Sequence, residues 1–120
     1  MGSITRARSI IPGAYYHVTT RGNNRQALFG DVVDYCRYLG ELRTATQQCQ
    51  VIVLAYALMP NHVHVVVRDH AGLLSKCMQL LNTRYACYVK GRYARSGHLY
   101  QGRFYARLME TEMPVDRQLI

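Results

Sequence analysis

His62, Val63 and His64 are the residues whose types and spacing point most directly to chemistry. On an extended strand the two imidazoles project from one face while Val63 points to the other. Two neutral ring nitrogens so placed can chelate one divalent ion. A bare His-x-His also occurs as a pair of half-buried or surface histidines, so its context decides. Here the pair follows the turn Met59-Pro60-Asn61 and opens an otherwise apolar stretch, HVHVVVR from His62 to Arg68. Two polar rings on such a strand favour a functional role, with His62 and His64 as metal ligands. The other histidines, His17, His70 and His98, default to structural or surface roles.

Charge is the second chemical signal. The chain carries 15 Lys+Arg against 7 acidic residues, a net +8, and Lys76 and Lys90 are its only lysines. Arg presents a planar fork that grips phosphate bidentately and stacks on bases, which favours a nucleic-acid partner. Ten Tyr and no Trp add rings suited to stacking on unpaired bases. The candidate DNA contacts are Arg21, Asn23, Asn24 and Arg25 in one loop, with Gln101 and Arg103. Arg and Asn or Gln can pair with guanine and adenine edges. Arg84, Lys90, Arg92 and Arg95 are candidates for phosphate contacts, which set affinity rather than sequence.

The elements that must position these residues are legible in outline. AYYHVTT (Ala14–Thr20) reads as a first strand, running into the polar loop Arg21–Arg25. Asp31 reads as the N-cap of a first helix over Val32–Gln48, with Tyr35, Leu39, Leu42 and Cys49 on its apolar face. The continuous apolar run Val51–Leu58 predicts a strand that is central or buried on both faces. His62–Arg68 follows after a short turn, so the two pair antiparallel. Leu74, Cys77, Met78, Leu81, Tyr85, Tyr88 and Val89 mark a second amphipathic helix, broken by Ser96-Gly97. His98–Met109 resumes strand character, and a last helix starts near Val115 and is cut short at Ile120. The order β-α-β-β-α-β-α predicts an α+β, ferredoxin-like fold: an antiparallel sheet with both helices on one face.

Composition bounds the rest. At 120 residues, 49% hydrophobic and 18% charged, the chain reads as a single globular domain, 1–120. It has no apolar run of membrane length and no secretory signal, so a cytoplasmic protein is expected. The four cysteines form no CxxC pair and read as small buried thiols in a reducing compartment.

Four ordered motifs carry a resemblance. Leu58-Met59-Pro60-Asn61-His62-Val63-His64-Val65-Val66 resembles the His-hydrophobic-His (HUH) motif of single-tyrosine transposases. Gly97-His98-Leu99-Tyr100-Gln101-Gly102-Arg103-Phe104 is similar to a second signature of that group. Tyr85 and Tyr88 fit the helix between, and the opening Tyr16-His17-Val18-Thr19-Thr20-Arg21-Gly22-Asn23-Asn24-Arg25 also resembles it. The match runs from about Ile11 to Ile120, and the nearest subgroup is the REP-associated tyrosine transposases.

The resemblance implies a ferredoxin-like HUH domain that binds hairpin DNA and nicks and rejoins the adjacent single strand. A tyrosine would attack the phosphate and keep a 5′-phosphotyrosine bond, with Mg²⁺ or Mn²⁺ at His62 and His64 and no small-molecule cofactor. A covalent intermediate splits the exchange into two easier steps. By the same resemblance the nucleophile is expected just after Ile120, on the helix cut short there. The alternative is an inactive, truncated or domesticated module that binds hairpin DNA without cutting it. A ferredoxin-like RNA-binding domain ranks lower, because the aromatic pattern of its first RNA-binding motif is missing. Monomer and homodimer both remain open.

Overall fold

Alternation of buried and half-buried side chains organises the centre of the protein. The structure, a computed structural model, describes residues 4–5 and 12–109. In chain order the elements are β1 (Ile4–Thr5), β2 (Tyr15–Arg21), α1 (Val32–Cys49), β3 (Val51–Met59), β4 (His62–Asp69), α2 (Leu74–Tyr93) and β5 (Tyr105–Leu108). The sheet runs β1-β5-β2-β4-β3, with every neighbouring pair antiparallel. Setting β1 aside, this is the split β-α-β-β-α-β order expected of a ferredoxin-like fold.

Both helices cover one face. Tyr16 and Val18 of β2 and Val63, Val65 and Val67 of β4 point into a single core with Tyr38 and Leu42 of α1 and Leu74, Met78, Leu81 and Tyr85 of α2. Each such side chain contributes roughly 1.5–3 kcal/mol by leaving water. Asp31 caps α1 by accepting the Asp34 N–H, and the helix ends at Gln50 in the left-handed region, φ 56°. Buried Asp69, the last residue of β4, accepts the Leu73 and Leu74 N–H groups at 3.0 and 3.2 Å. That contact turns the chain straight from sheet into α2.

Several sequence expectations change. β3 is neither central nor covered on both faces: it is the edge strand, paired with β4 alone. Ile52 and Tyr56 are 47% and 53% exposed, and the register shifts between Val53 and Ala55. The strand expected over His98–Met109 shortens to Tyr105–Leu108. Gly97 and Gly102, at φ 87° and 68°, bend the segment before it, which keeps one isolated bridge, Gly22 to Tyr100. β1, pairing with β5, was not foreseen. Cys49 and Cys77 are buried, but Cys36 and Cys87 are exposed. The last helix, expected from Val115, lies outside the described residues.

One polar knot joins the start of α1 to the end of α2. Asp34, fully buried, accepts from Tyr88 Oη (2.6 Å), Tyr93 Oη (2.5 Å), Arg92 Nη1 (2.6 Å) and the Gly30 N–H (2.7 Å). Arg92 Nη2 also binds Asp31 at 2.7 Å. A Cβ at Gly30 would meet the Tyr93 hydroxyl, so a larger residue there would displace Tyr93 from Asp34. Burial opposes the Asp34 charge, yet these hydrogen bonds outweigh it and hold the carboxyl down at about 2. The same bond pushes the Tyr93 phenol up to about 12.

Because its folded pKa is depressed, Asp34 contributes stability above the ordinary 3.8, and that contribution fades as pH falls through 3.8 towards 2. Asp34→Asn should therefore cost about 3 kcal/mol in urea unfolding at pH 7. The gap from wild type should shrink between pH 4 and pH 2.5. A gap independent of pH would contradict this account of the knot.

Candidate active site

The pleat that buries Val63 and Val65 turns His62 and His64 to the opposite, helix-free face. In register, His62 sits beside Arg21 and His64 beside Thr19. On β2, alternation places His17, Thr19 and Arg21 on that same face. Three imidazoles thus meet: the His17 and His64 ring centroids are 5.0 Å apart, as are those of His62 and His64.

Each ring is oriented. His62 Nδ1 lies 2.8 Å from Asn61 Oδ1, so its Nδ1–H donates there and Nε2 keeps its lone pair. His17 Nε2 and Thr19 Oγ1 lie 2.9 and 3.3 Å from His64 Nδ1. Partial burial, His17, His62 and Arg21 all disfavour a proton on His64 and hold its pKa below the ordinary 6.5. Imidazoles beside the exposed Arg21 guanidinium suit a phosphate.

The donor chemistry can be tested against a divalent ion. His17 Nε2 and His64 Nδ1, 2.9 Å apart, share a ring–ring hydrogen bond, so one nitrogen donates and the other accepts. The His62 ring stands beside this pair, with Nδ1 on Asn61 Oδ1 and Nε2 as its other nitrogen. Among the described residues, no group of three or more His, Cys, Asp or Glu is arranged to hold a metal ion. The nitrogen donors a divalent ion would meet on this face are the His62 and His64 rings, with centroids 5.0 Å apart.

The remaining predicted residues divide between two places. Arg21 belongs to the histidine face. Asn23 and Asn24 lie with Arg25 in a 3-10 turn, Asn24 in the left-handed region at φ 53° and exposed. Asn23 Nδ2 reaches the His98 carbonyl at 3.4 Å, and its backbone N–H donates to Leu99 O. Gln101 and Arg103 are exposed beyond Leu99, and the Gln101 N–H donates to Arg21 O at 2.9 Å. The loop after β2 and the segment before β5 thus form one polar surface.

Sequence reasoning missed His17, Asn61 and Gln26. Gln26 Nε2 donates to His98 O and Leu99 O, and Arg95 donates to Gln26 Oε1, so both residues pin that surface. Arg92, read as a phosphate contact, is committed to Asp31 and Asp34, and Arg84 lies 3.8 Å from Glu41. His70 and His98 are exposed. For His17 a signal existed, since it shares the parity of Thr19 and Arg21. Only the pairing of β2 with β4 brings it to His64.

A split β-α-β-β-α-β sheet with a His-x-His strand at its centre is the arrangement of an HUH transposase domain. The profile described as "Transposase IS200 like" matches residues 11–117, and the chain belongs to that family. Among solved structures it resembles a REP-associated tyrosine transposase bound to a REP hairpin. The TM-score is 0.72 at 15% identity, covering 97% of this chain and 67% of that one. It also resembles a putative transposase from Deinococcus radiodurans, with TM-score 0.64 at 16% identity, covering 96% and 93%. At such identities these likenesses establish the fold. No curated protein matches.

An NMR titration should find His64 protonating below 6.5, and His17→Ala should move it upward, because desolvation and the neighbouring ring both lower it. A His64 titrating at or above 6.5 in the wild type would contradict the cluster.

Proposed function

We propose that this chain is the DNA-binding, metal-holding body of a transposase that nicks and rejoins single-stranded DNA beside a hairpin through a 5′-phosphotyrosine. The observation that carries the reading is the cluster His17–His62–His64 beside Arg21 on the helix-free face. It is joined to membership of a transposase family.

In this reading His62 and His64 would hold the ion, and His17 would orient His64 through its ring hydrogen bond. The imidazole donors are softer than the oxygens Mg²⁺ prefers, which favours Mn²⁺. When bound, the ion polarises a phosphoryl oxygen and offsets charge on the departing oxygen. Arg21 binds a phosphate oxygen on the same face and sets the strand's position before reaction. Asn61 and Thr19 keep the rings oriented. Asn23, Asn24, Arg25, Gln101 and Arg103 bind the hairpin and its unpaired flank, with Arg, Asn and Gln reading base edges.

Three tyrosines of α2, Tyr85, Tyr88 and Tyr93, are poor nucleophiles. Tyr85 donates to Leu28 O at 2.7 Å, and its burial raises the phenol pKa further. Tyr88 and Tyr93 are held by Asp34. The nucleophile implied by the family resemblance belongs to a helix following β5. These tied hydroxyls favour, as a second reading, a module that binds hairpin DNA without cutting it. The exposed edge of β3 offers a surface for a second copy, and light scattering decides between monomer and homodimer.

Calorimetry should show Mn²⁺ binding that vanishes in the His62→Ala/His64→Ala double variant, with hairpin affinity within about twofold, since phosphate contacts dominate affinity. Unchanged Mn²⁺ binding in the double variant would sink the metal assignment. Incubated with hairpin-flanked single-stranded DNA and Mn²⁺, the 120 residues should bind without a covalent protein–DNA adduct. An adduct would place the nucleophile among the ten tyrosines.

A further inference from the structure

Of the three imidazoles that meet on the helix-free face, only His17 comes from outside the His-x-His motif. Its place there follows from the sheet register. His17 pairs with Val66 of β4, and His64 with Thr19 of β2, so the two rings are diagonal neighbours across the strand pair. Such diagonals lie within reach of ring side chains. Here they close to 2.9 Å between His17 Nε2 and His64 Nδ1, with Thr19 Oγ1 3.3 Å from the same His64 nitrogen.

A neutral imidazole carries one N–H and one lone pair, so this contact has two senses. If His17 donates, the His64 Nδ1 lone pair is used and the His64 proton sits on Nε2. Neither nitrogen of His64 can then take an ion. If His64 donates from Nδ1, His17 accepts at Nε2 and the His64 Nε2 lone pair stays open. The Thr19 hydroxyl can donate or accept, so it fits both senses. His62 has no such choice. Its Nδ1 lies 2.8 Å from Asn61 Oδ1, an acceptor only, so its lone pair is on Nε2. The second sense gives both motif histidines the same free atom, whereas the first disables one of them.

We propose that His17 is a positioning residue that selects the His64 tautomer. Accepting at Nε2, it holds the His64 proton on Nδ1 and leaves Nε2 for a divalent ion. The proposal rests on the reading of His62 and His64 as the ion's ligands and adds what decides which nitrogen is presented. His17 does for His64 what Asn61 does for His62, and a ligating imidazole commonly has its tautomer fixed by such a partner.

The test reads the tautomer directly. Nitrogen-15 NMR of the metal-free full chain at pH 8, above the ordinary imidazole range, separates an N–H nitrogen from one with a lone pair. In the wild type His62 and His64 should both carry the proton on Nδ1. His17→Leu, which has nothing to accept with, should move the His64 proton towards Nε2 and leave His62 unchanged. His17→Gln, whose Oε1 accepts, should restore the wild-type pattern. By calorimetry, Mn²⁺ affinity should fall about tenfold in His17→Leu and return to within about threefold in His17→Gln. A His64 proton on Nε2 in the wild type, or a tautomer and affinity untouched by His17→Leu, overturns the proposal. So does an affinity loss in both variants with no change of tautomer, the mark of a merely structural role. The expected tautomers without any Mn²⁺ binding would instead overturn the metal reading.

Discussion

The antiparallel register of β2 on β4 is the constraint from which the rest of the protein follows. Pairing runs from Tyr15 opposite Arg68 to Arg21 opposite His62. Because successive side chains alternate, a slip of one residue would push His64 into the core and turn Val63 and Val65 to solvent. The apolar burial that folds the sheet therefore also aligns the imidazoles. The open end of the pair is fastened by backbone bonds from Gly22 to Asn61 and from Leu28 to Pro60. At Gly22 a Cβ would collide with the Gln26 carbonyl, so a glycine is needed for that closure.

The two faces of the sheet divide the labour. On one, α1 and α2 close a dry core, and its buried carboxylates, Asp34 and Asp69, are spent joining elements. On the other, rings and a guanidinium stay half-exposed, where an ion or a phosphate can reach them. The polar surface built from the turn after β2 and the segment before β5 sits at the rim between the faces. Backbone bonds hold its shape, which leaves the side chains of Gln101 and Arg103 exposed. A strongly basic composition thus does not translate evenly into binding surface, because Arg92 holds helices together.

Local patterns were legible where one residue type has one physical use. Asp31 before an amphipathic run is a cap, and the α2 stripe from Leu74 to Val89 is a buried face. Alternation in HVHVVVR put both imidazoles on one side. Val51–Leu58 was misjudged because an apolar run reports affinity for a sheet, not the number of its neighbours. Gly97 was read only as the break after the second helix and Gly102 as part of a strand, whereas their positive φ costs the ladder pairing over His98–Phe104 apart from the Tyr100 bridge.

From its residues alone, then, the chain determined the order β-α-β-β-α-β between Tyr15 and Leu108, the two helix faces, the same-face pair His62 and His64, and a resemblance that the family match bears out. Those properties depend on spacing along one strand or helix, which the sequence carries directly. Tertiary structure decided that His17 stands 2.9 Å from His64 and that Arg92 is bound to Asp34. These depend on which distant segments are brought together. Residues 17 and 64 meet only because two strands, separated by a helix and a third strand, pair in one register.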